Sequence, residues 1–291
     1  MVIEWYPGHM TKAKRAMQED IKLVDVVIEL LDARAPLASK NPDIDSLAAN
    51  KARVVVINKS DMSDPKVNNE WLSYFKDNGG YALLADSRTR AGNEQVRSAV
   101  LGACSRKIER DRARGIKQRP IKAMICGIPN VGKSTFINSY AGKSSAKTGN
   151  KPGVTRGDQW IRIGRDIELL DTPGLLWPRF DDQLTGIKLA VLGSIRDEVL
   201  DAQELAVWLL DFLKVCYPQC LAQRYGFTDT LMTASGHELL NEAAIARNCL
   251  LKGAQPDLKR AAQLVLADFR SARLGRISLE RPPRAEENGR E

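Results

Sequence analysis

The chain has 291 residues, of which 43% are hydrophobic and 27% charged, and it carries a formal net charge of +8 with a pI of about 9.2. This composition excludes a disordered or collagen-like chain, and no apolar run is long enough to cross a bilayer. Five cysteines without CxxC spacing favour free thiols over a disulfide framework. We therefore expect a cytoplasmic protein of two domains without a signal peptide, and the basic surplus suits a polyanionic partner such as nucleic acid.

Strand and helix signals alternate through the first half of the chain. Apolar runs predict four buried strands, over Val24–Asp32, Arg53–Ile57, Tyr81–Leu84 and Ile121–Cys126. Helical spacing appears between them, from Thr11 to Val24, from Asn69 to Asp77 and from Asn93 to Arg112. The charged stretch Ile108–Pro120 is expected to end the last of these helices and to form an exposed connector. This alternation predicts an α/β domain with a parallel sheet.

The second half of the chain changes character. Trp160–Ile163 and Ile167–Leu170, separated by a polar turn, predict a hairpin. From about Leu184 onward strand-like runs disappear and helical periodicity dominates, which predicts a smaller all-helical domain. We expect the α/β domain over 1–178, the helical domain over 179–280 and a disordered polar tail over 281–291.

A glycine-rich loop follows the fourth predicted strand. Gly127–Ser134 has two glycines five positions apart followed by Lys133 and Ser134, which is the phosphate-loop pattern, and a helical stretch follows it. Backbone N–H groups of such a loop surround phosphate oxygens, the lysine reaches the β- and γ-phosphates, and the serine hydroxyl binds Mg²⁺. The residues expected to hold the nucleotide here are Pro129, Asn130, Val131, Gly132, Lys133, Ser134 and Thr135.

Two further segments match the parts that surround a γ-phosphate. Asp171-Thr172-Pro173-Gly174 ends the last predicted strand, so Asp171 is expected to hold Mg²⁺ and Gly174 to offer its N–H to the γ-phosphate. Between it and the phosphate loop, Lys151–Arg156 is the best candidate for a switch segment, in which Thr155 binds Mg²⁺ and senses the γ-phosphate.

Asn58-Lys59-Ser60-Asp61, directly after the second predicted strand, predicts which nucleotide base is bound. This tetrad fits the Asn-Lys-x-Asp signature of GTPases, in which a carboxylate such as Asp61 accepts hydrogen bonds from the ring N–H and the amine of guanine. Lys59 is expected to lie over the base and Asn58 to brace the loop. Ala85, Asp86 and Ser87 follow the third strand and are expected around the guanine.

The order of these motifs is unusual, because the base tetrad at residue 58 precedes the phosphate loop at residue 127. The same site forms if the chain is cut and rejoined at the surface, so the pattern predicts a circularly permuted P-loop GTPase domain followed by a smaller all-helical domain. Two alternatives remain at this point. One is a P-loop metabolic kinase, and the other is a GTP-dependent RNA-binding scaffold with little catalysis.

The sequence resembles the circularly permuted GTPases of the ribosome biogenesis GTPase A (YlqF) type. The segments that carry the resemblance include the three nucleotide motifs above together with Trp5–Met10, Asp32–Pro36, Pro152–Thr155 and Leu274–Glu280, so it spans nearly the whole chain. It implies a cytoplasmic GTPase that acts late in assembly of the large (50S) ribosomal subunit. It also implies a C-terminal helical domain that contacts ribosomal RNA, and we expect the protein to be a monomer.

The resemblance also bears on catalysis. Leu175 stands where many GTPases have the glutamine that orients the attacking water, and an apolar side chain cannot do this. The resemblance points to His9 as the catalytic residue, and packing or RNA binding is the alternative role. It further implies that K⁺ can bind near Asn130 and stabilise charge on the phosphates. For Arg34 in the Asp32-Ala33-Arg34 segment we weigh an RNA contact against a surface ion pair, and we favour a structural or docking role.

Overall fold

The computed structural model describes residues 9–90, 92–116, 119–141, 159–172, 174, 176–177, 182–195 and 201–283, with the side chains of residues 9–14, 159, 230 and 232 excepted. The chain divides into two compact units. Of the described residues, 9–177 and 278–283 belong to an α/β unit, and 182–277 belong to a helical unit. The expected boundary between 178 and 179 and most of the expected tail, 284–291, lie outside the described residues.

Six strands form one sheet in the α/β unit, in the spatial order β3-β2-β1-β4-β6-β5. Their bounds are β1 Val26–Asp32, β2 Ala52–Asn58, β3 Tyr81–Ala85, β4 Ile121–Gly127, β5 Gln159–Ile163 and β6 Ile167–Asp171. The first four strands and β6 are parallel, whereas β5 pairs with β6 in the antiparallel hairpin that the sequence predicts. All seven residues of the central strand β1 are buried, as expected of a parallel strand covered on both faces.

Six helices accompany this sheet: α1 His9–Leu23, α2 Pro42–Leu47, α3 Pro65–Asp77, α4 Asn93–Ala103, α5 Ser105–Ala113 and α6 Lys133–Ala141. The single helix predicted from Asn93 to Arg112 is therefore two, which meet at Cys104. Gly102 stands just before the break, and a Cβ there would lie 3.0 Å from the ring of Tyr81. The close approach of α4 to Tyr81 therefore requires glycine, whose low helix propensity favours a helix end at this point.

The helical unit contains α7 Gln183–Val191, α8 Ala202–Cys216, α9 Pro218–Tyr225, a short 3-10 helix Asp229–Thr233, α10 Gly236–Ala246 and α11 Leu258–Arg270. Within its described residues the only β-pairing is an isolated bridge between Leu250 and Pro256, so the predicted all-helical character is confirmed. At the core, the buried Asp268 of α11 accepts hydrogen bonds of 2.7 and 2.8 Å from Arg224 of α9. This charge-assisted pair joins the two helices.

The described part of the chain contains no single helix with the length and apolar composition needed to span a membrane. Helices α8 and α9 meet such a criterion only together, and they are bent by 115° at their junction.

A short C-terminal segment, residues 278–281, packs against the α/β unit. We call it the strap. The N–H of Leu279 donates to the carbonyl of Arg34 at 2.6 Å, and the carboxylate of Glu280 accepts from the N–H of Leu37 at 2.6 Å. Arg281 pairs with Glu70 at 2.8 Å. Residues 278–280, assigned to the helical domain by sequence, thus lie in the α/β unit because these long-range hydrogen bonds hold them there.

Candidate nucleotide site

The parallel strands bring the predicted nucleotide residues to one edge of the sheet. Strands β1, β2, β3, β4 and β6 end at Asp32, Asn58, Ala85, Gly127 and Asp171. Because the carboxyl ends of parallel strands share an edge, five loops meet there. The two loops expected to bind guanine follow neighbouring strands, β2 and β3, and the two expected to bind phosphates follow neighbouring strands, β4 and β6. The loop after β1 lies between the two pairs.

The backbone of the phosphate loop has the geometry that requires glycine at two positions. Gly127 has φ +156°, and a Cβ there would lie 2.7 Å from the carbonyl oxygen of Leu30. Gly132 has φ +101°, and a Cβ there would lie 2.6 Å from Nδ2 of Asn58. Asn130 adopts a left-handed conformation with φ +60° at an exposed position. Helix α6 begins directly after the loop, so its N-terminal N–H groups and dipole favour an anion there.

Lys133 and Asp171 are the buried charged side chains at the phosphate end of the site. Both side chains are buried, and burial lowers the pKa of Lys133 although the nearby Asp171 opposes the shift. Burial also raises the pKa of Asp171 despite the attraction of Lys133. Oδ1 of Asp171 is buried without a hydrogen-bond partner among the described residues. An unpartnered buried carboxylate oxygen is a suitable ligand for a hard divalent cation.

The segment after β6, which contains Thr172 and Gly174, contacts the phosphate loop. Thr172 donates its hydroxyl to the carbonyl of Ile125 at 2.7 Å, which joins the end of β6 to β4. A Cβ on Gly174 would lie 3.0 Å from the Cα of Pro129 and 3.2 Å from Nζ of Lys133. The backbone of Gly174 thus lies against the phosphate loop, close to the lysine expected to bind the γ-phosphate.

Asn58 connects the base side of the site to the phosphate side. Its buried amide donates from Nδ2 to the carbonyl of Val131 at 2.8 Å. Its Oδ1 accepts from the N–H of Ser87 at 3.1 Å and from the Ser87 hydroxyl at 2.6 Å. Lys59, with φ +60°, donates from Nζ to the carbonyl of Asn130 at 2.7 Å. The tetrad therefore braces the phosphate loop as well as its own turn.

Asp61 is engaged by a residue that the sequence analysis missed. Arg88 donates to Asp61 at 2.5 Å and to both oxygens of Asp86 at 3.0 Å. Asp86, expected around the guanine, thus holds Arg88 in the structure. The pKa of Asp86 is lowered, chiefly by the hydrogen bond from Arg88. The Asp-Ser-Arg spacing after β3 was the available signal, since an aspartate readily binds a donor two residues later in a turn.

The loop after β1 contains a buried ion-pair network. Arg34 donates two hydrogen bonds to Asp32, of 2.8 and 2.7 Å, and Lys59 adds a third of 2.9 Å. Burial acts to raise the pKa of Asp32, but Arg34 and Lys59 outweigh it and hold that pKa well below its usual range. A surface ion pair or an RNA contact of Arg34 is wrong, because Arg34 is only 1% exposed, whereas the favoured structural role agrees with its buried pair with Asp32. Its role is to fix Asp32, and through it Lys59 of the tetrad.

The remaining predicted residues are placed in part. Ser134 and Thr135 lie in the first turn of α6, half-buried and exposed respectively. His9 is the first residue of α1, and its side chain is outside the described part. Thr155 and Leu175 also lie outside the described residues. Within the described residues, no cluster of three or more His, Cys, Asp or Glu could hold a metal ion.

A family model and several curated proteins match this sequence. The model described as "50S ribosome-binding GTPase" matches residues 122–231, from the strand before the phosphate loop onward. "Ribosome biogenesis GTPase A" of Priestia megaterium is 46% identical over 288 residues, 99% of each chain. The protein of that name from Bacillus cereus is 45% identical over 97% of this chain and 95% of its own. The protein of that name from Thermotoga maritima is 31% identical over 96% of this chain and 95% of its own.

Two solved structures are similar over nearly the whole chain. The GDP-bound structure of YlqF from T. maritima has a TM-score of 0.66 at 27% identity and covers 92% of this chain and 99% of its own. The GNP-bound structure of YlqF from the same organism has a TM-score of 0.64 at 28% identity, with coverage of 93% and 98%. The similarity extends across both the α/β and the helical residues.

Proposed function

Because this chain belongs to the ribosome biogenesis GTPase A family and is a GTPase, we propose that it acts as a GTP-dependent factor in late maturation of the large ribosomal subunit. In this proposal it works in the cytoplasm as a monomer, and its helical unit contacts ribosomal RNA. The formal net charge of +8 supports a polyanionic partner. The names of the relatives support ribosome assembly as the process.

The observation that carries the proposal is the bridge made by Asn58. One side chain ties the tetrad to the phosphate loop through Val131 and to the β3 loop through Ser87. The two motifs are about 70 residues apart, in permuted order, yet they form one continuous rim. A guanine bound at one end and phosphates bound at the other would therefore belong to a single nucleotide.

The chain's own groups suggest how GTP is bound. The carboxylate of Asp61 accepts from the N–H and amine of guanine, while Ala85 to Ser87 surround the base and Lys59 lies over its plane. Since adenine lacks this donor pair, ATP would leave a charged acceptor unpaired. At the other end, the loop from Pro129 to Thr135 surrounds the phosphates and Lys133 neutralises their charge.

A divalent cation fits the phosphate end. Ser134, Thr155 and Asp171 are the proposed ligands, and the unpartnered Oδ1 of Asp171 supports this assignment. When bound, Mg²⁺ neutralises charge between the β- and γ-phosphates. The backbone of Gly174 lies against the phosphate loop near Lys133, and its N–H is the proposed donor to the γ-phosphate.

Hydrolysis needs a group that orients water, and Leu175 cannot supply one. We assign this role to His9 at the start of α1, because a neutral imidazole can hold an attacking water at physiological pH. K⁺ near Asn130 would add positive charge at the β,γ-bridge, where other GTPases use an arginine. Catalysis by the free protein is then slow and depends on a partner that positions the N-terminal segment.

The test is GTP hydrolysis measured in K⁺ buffer with and without purified large ribosomal subunits. Small subunits and ATP serve as controls, and Na⁺ replaces K⁺ in a parallel series. We expect stimulation that requires the large subunit, GTP and K⁺ together, and that His9→Ala abolishes without weakening GTP binding. Equal rates with either subunit would contradict the proposed partner. Normal stimulation of His9→Ala would remove His9 from the mechanism.

A further inference from the structure

A basic cleft opens at the edge of the sheet opposite the nucleotide site. It is lined by residues that precede β1 and β2 and by the junction of α4 and α5, and its volume is about 610 Å³. Five cationic side chains surround it: Lys51, Arg106, Lys107, Arg110 and Arg119. The strands between the two edges have seven residues, so the cleft lies about 20 Å from the nucleotide loops at about 3.3 Å per residue.

The acidic groups around the basic cleft neutralise only part of this charge. Lys107 lies 2.5 Å from Asp111 and 3.7 Å from Asp25, and Arg119 lies 3.7 Å from each of the same two carboxylates. Two acidic side chains thus face five basic ones. Among the described residues, Arg106 and Arg110 form no ion pair within 4 Å and are exposed, although the charge of Arg110 contributes to the lowered pKa of Asp111. Their guanidinium groups therefore face solvent, where a ligand can reach them.

The walls of the basic cleft strengthen its field. Ala49, Ala52, Ala103 and Cys104 contribute apolar surface between the cationic groups. Burial raises the pKa of the Cys104 thiol to about 11, so this side chain stays neutral and adds no negative charge. A concave surface with one sign of charge and low-dielectric walls concentrates the potential and attracts polyanions.

The composition of the lining indicates which part of a polyanion is recognised. Apart from arginine and lysine, which can contact a guanine edge as well as phosphates, Asn50 is the only lining residue with a side-chain amide that could read a base edge. Arginine forks match phosphate oxygens in a bidentate manner. The basic cleft therefore suits the sugar–phosphate backbone of a nucleic acid, where contact is independent of base sequence.

We infer that the basic cleft is an RNA-docking site of the α/β unit, separate from the nucleotide site and from any contact made by the helical unit. The choice of RNA among nucleic acids rests on the proposed function in ribosome assembly. RNA in the basic cleft leaves the nucleotide loops free. Two RNA contacts on different units would fix the orientation of the protein on a large particle, which a single contact does not.

The test compares two double variants of the full-length protein. Arg106→Gln/Arg110→Gln removes the two unpaired cations of the basic cleft, and glutamine keeps the helix propensity of α5. Lys66→Gln/Lys76→Gln removes the same charge from exposed positions of α3 and is the matched control. Binding of a fluorescently labelled RNA duplex is measured over a range of salt concentrations, and basal GTP turnover reports that each variant is folded.

We expect Arg106→Gln/Arg110→Gln to weaken RNA binding roughly tenfold or more at 0.1 M salt and to reduce the slope of log K against log salt by about 1.8, since each lost duplex phosphate contact changes the slope by about 0.9. Lys66→Gln/Lys76→Gln should keep most of the affinity, and basal turnover should be unchanged in both. An equal loss in the two variants would overturn the inference, because bulk charge would then explain it. Polyglutamate that displaces the duplex as well as unlabelled RNA would overturn it in favour of an acidic protein partner.

The same variants separate this inference from the proposed function. If large subunits stimulate the wild type while the basic-cleft variant binds the duplex as the control does, the docking site is refuted and the proposed function stands. If large subunits do not stimulate the wild type but the basic-cleft variant loses duplex binding, the RNA-docking site is supported. The large subunit as the proposed partner is then refuted.

Discussion

Replacing Asp171 by Asn should stabilise the nucleotide-free protein and at the same time prevent productive use of Mg²⁺. The carboxylate is 4% exposed, its Oδ1 has no partner among the described residues, and its pKa is raised by burial in spite of Lys133. A raised carboxylate pKa means that the ionised form weakens the fold at neutral pH. The attraction of Lys133 is already part of that balance, so neutralising Asp171 gives a net gain.

The expected gain is about 1 kcal/mol, the lower end of the cost of leaving a buried polar group unsatisfied, because the amide also lacks a full set of partners. In a unit of this size that corresponds to roughly 2–4 °C in the melting temperature. Binding of GDP and Mg²⁺ should reverse this order of stability between the wild type and the variant. Mg²⁺ and GDP at about 100 times their dissociation constant would stabilise the wild type by about 2.7 kcal/mol, whereas the variant lacks the carboxylate ligand and gains less.

Melting temperatures of both proteins would be measured without ligand, with GDP, and with GDP and Mg²⁺. Glu168→Gln on the same strand, β6, removes the same charge from a half-buried side chain and is the control. Above the folded-state pKa the penalty of ionised Asp171 is fully present, so the advantage of the variant should shrink as the pH falls through that raised pKa and should vanish only below the ordinary value of 3.8, where the carboxylate becomes protonated in both states. A variant that melts below the wild type without ligand, or keeps the full Mg²⁺ effect, would refute the reasoning.

Three other substitutions follow from the same geometry. Asp32→Asn should lower the free energy of unfolding by about 3 kcal/mol in urea titrations, because Arg34 stays buried without its partner. Since the pKa of Asp32 is lowered, this loss should be constant from pH 7 to 5 and shrink only below about 4; a loss that shrinks already at pH 6 would contradict it. Asn58→Ala should weaken GDP binding by calorimetry as well as lower stability, because the side chain joins the guanine tetrad to the phosphate loop. Gly132→Ala should abolish GDP binding, because its Cβ would lie 2.6 Å from Nδ2 of Asn58, whereas Gly164→Ala has open space and should bind normally.

Sequence patterns predicted the elements whose identity depends on local burial. The strands β1, β2, β3 and β4 were found because continuous apolar runs mark strands covered on both faces, and the β5–β6 hairpin because its two apolar runs flank a polar turn. The nucleotide motifs were found because their residue types at fixed spacing reflect the geometry of phosphates and guanine. In each case the signal lies within a few consecutive residues.

What the sequence did not predict depends on distant contacts. The break between α4 and α5 reflects the packing of Gly102 against Tyr81, 21 residues earlier in the chain. The burial of Arg34 was not predicted, because nothing local indicates that the strap covers its loop through Leu279. Arg88 was missed because its partner Asp61 comes from another loop. Hydrogen bonds between residues more than 200 positions apart cannot be read from periodicity.

Among the described residues, the chain passes between the α/β unit and the helical unit at two points. One link leaves the α/β unit after Asp171 and Gly174, on the γ-phosphate side. The other returns through the strap, where Leu279 donates to the backbone of Arg34. Arg34 in turn holds Asp32, and Asp32 holds Lys59 of the guanine tetrad. In the usual motif order the segment after Gly174 would continue within the same domain, whereas in the permuted order the chain continues from this segment into the helical unit.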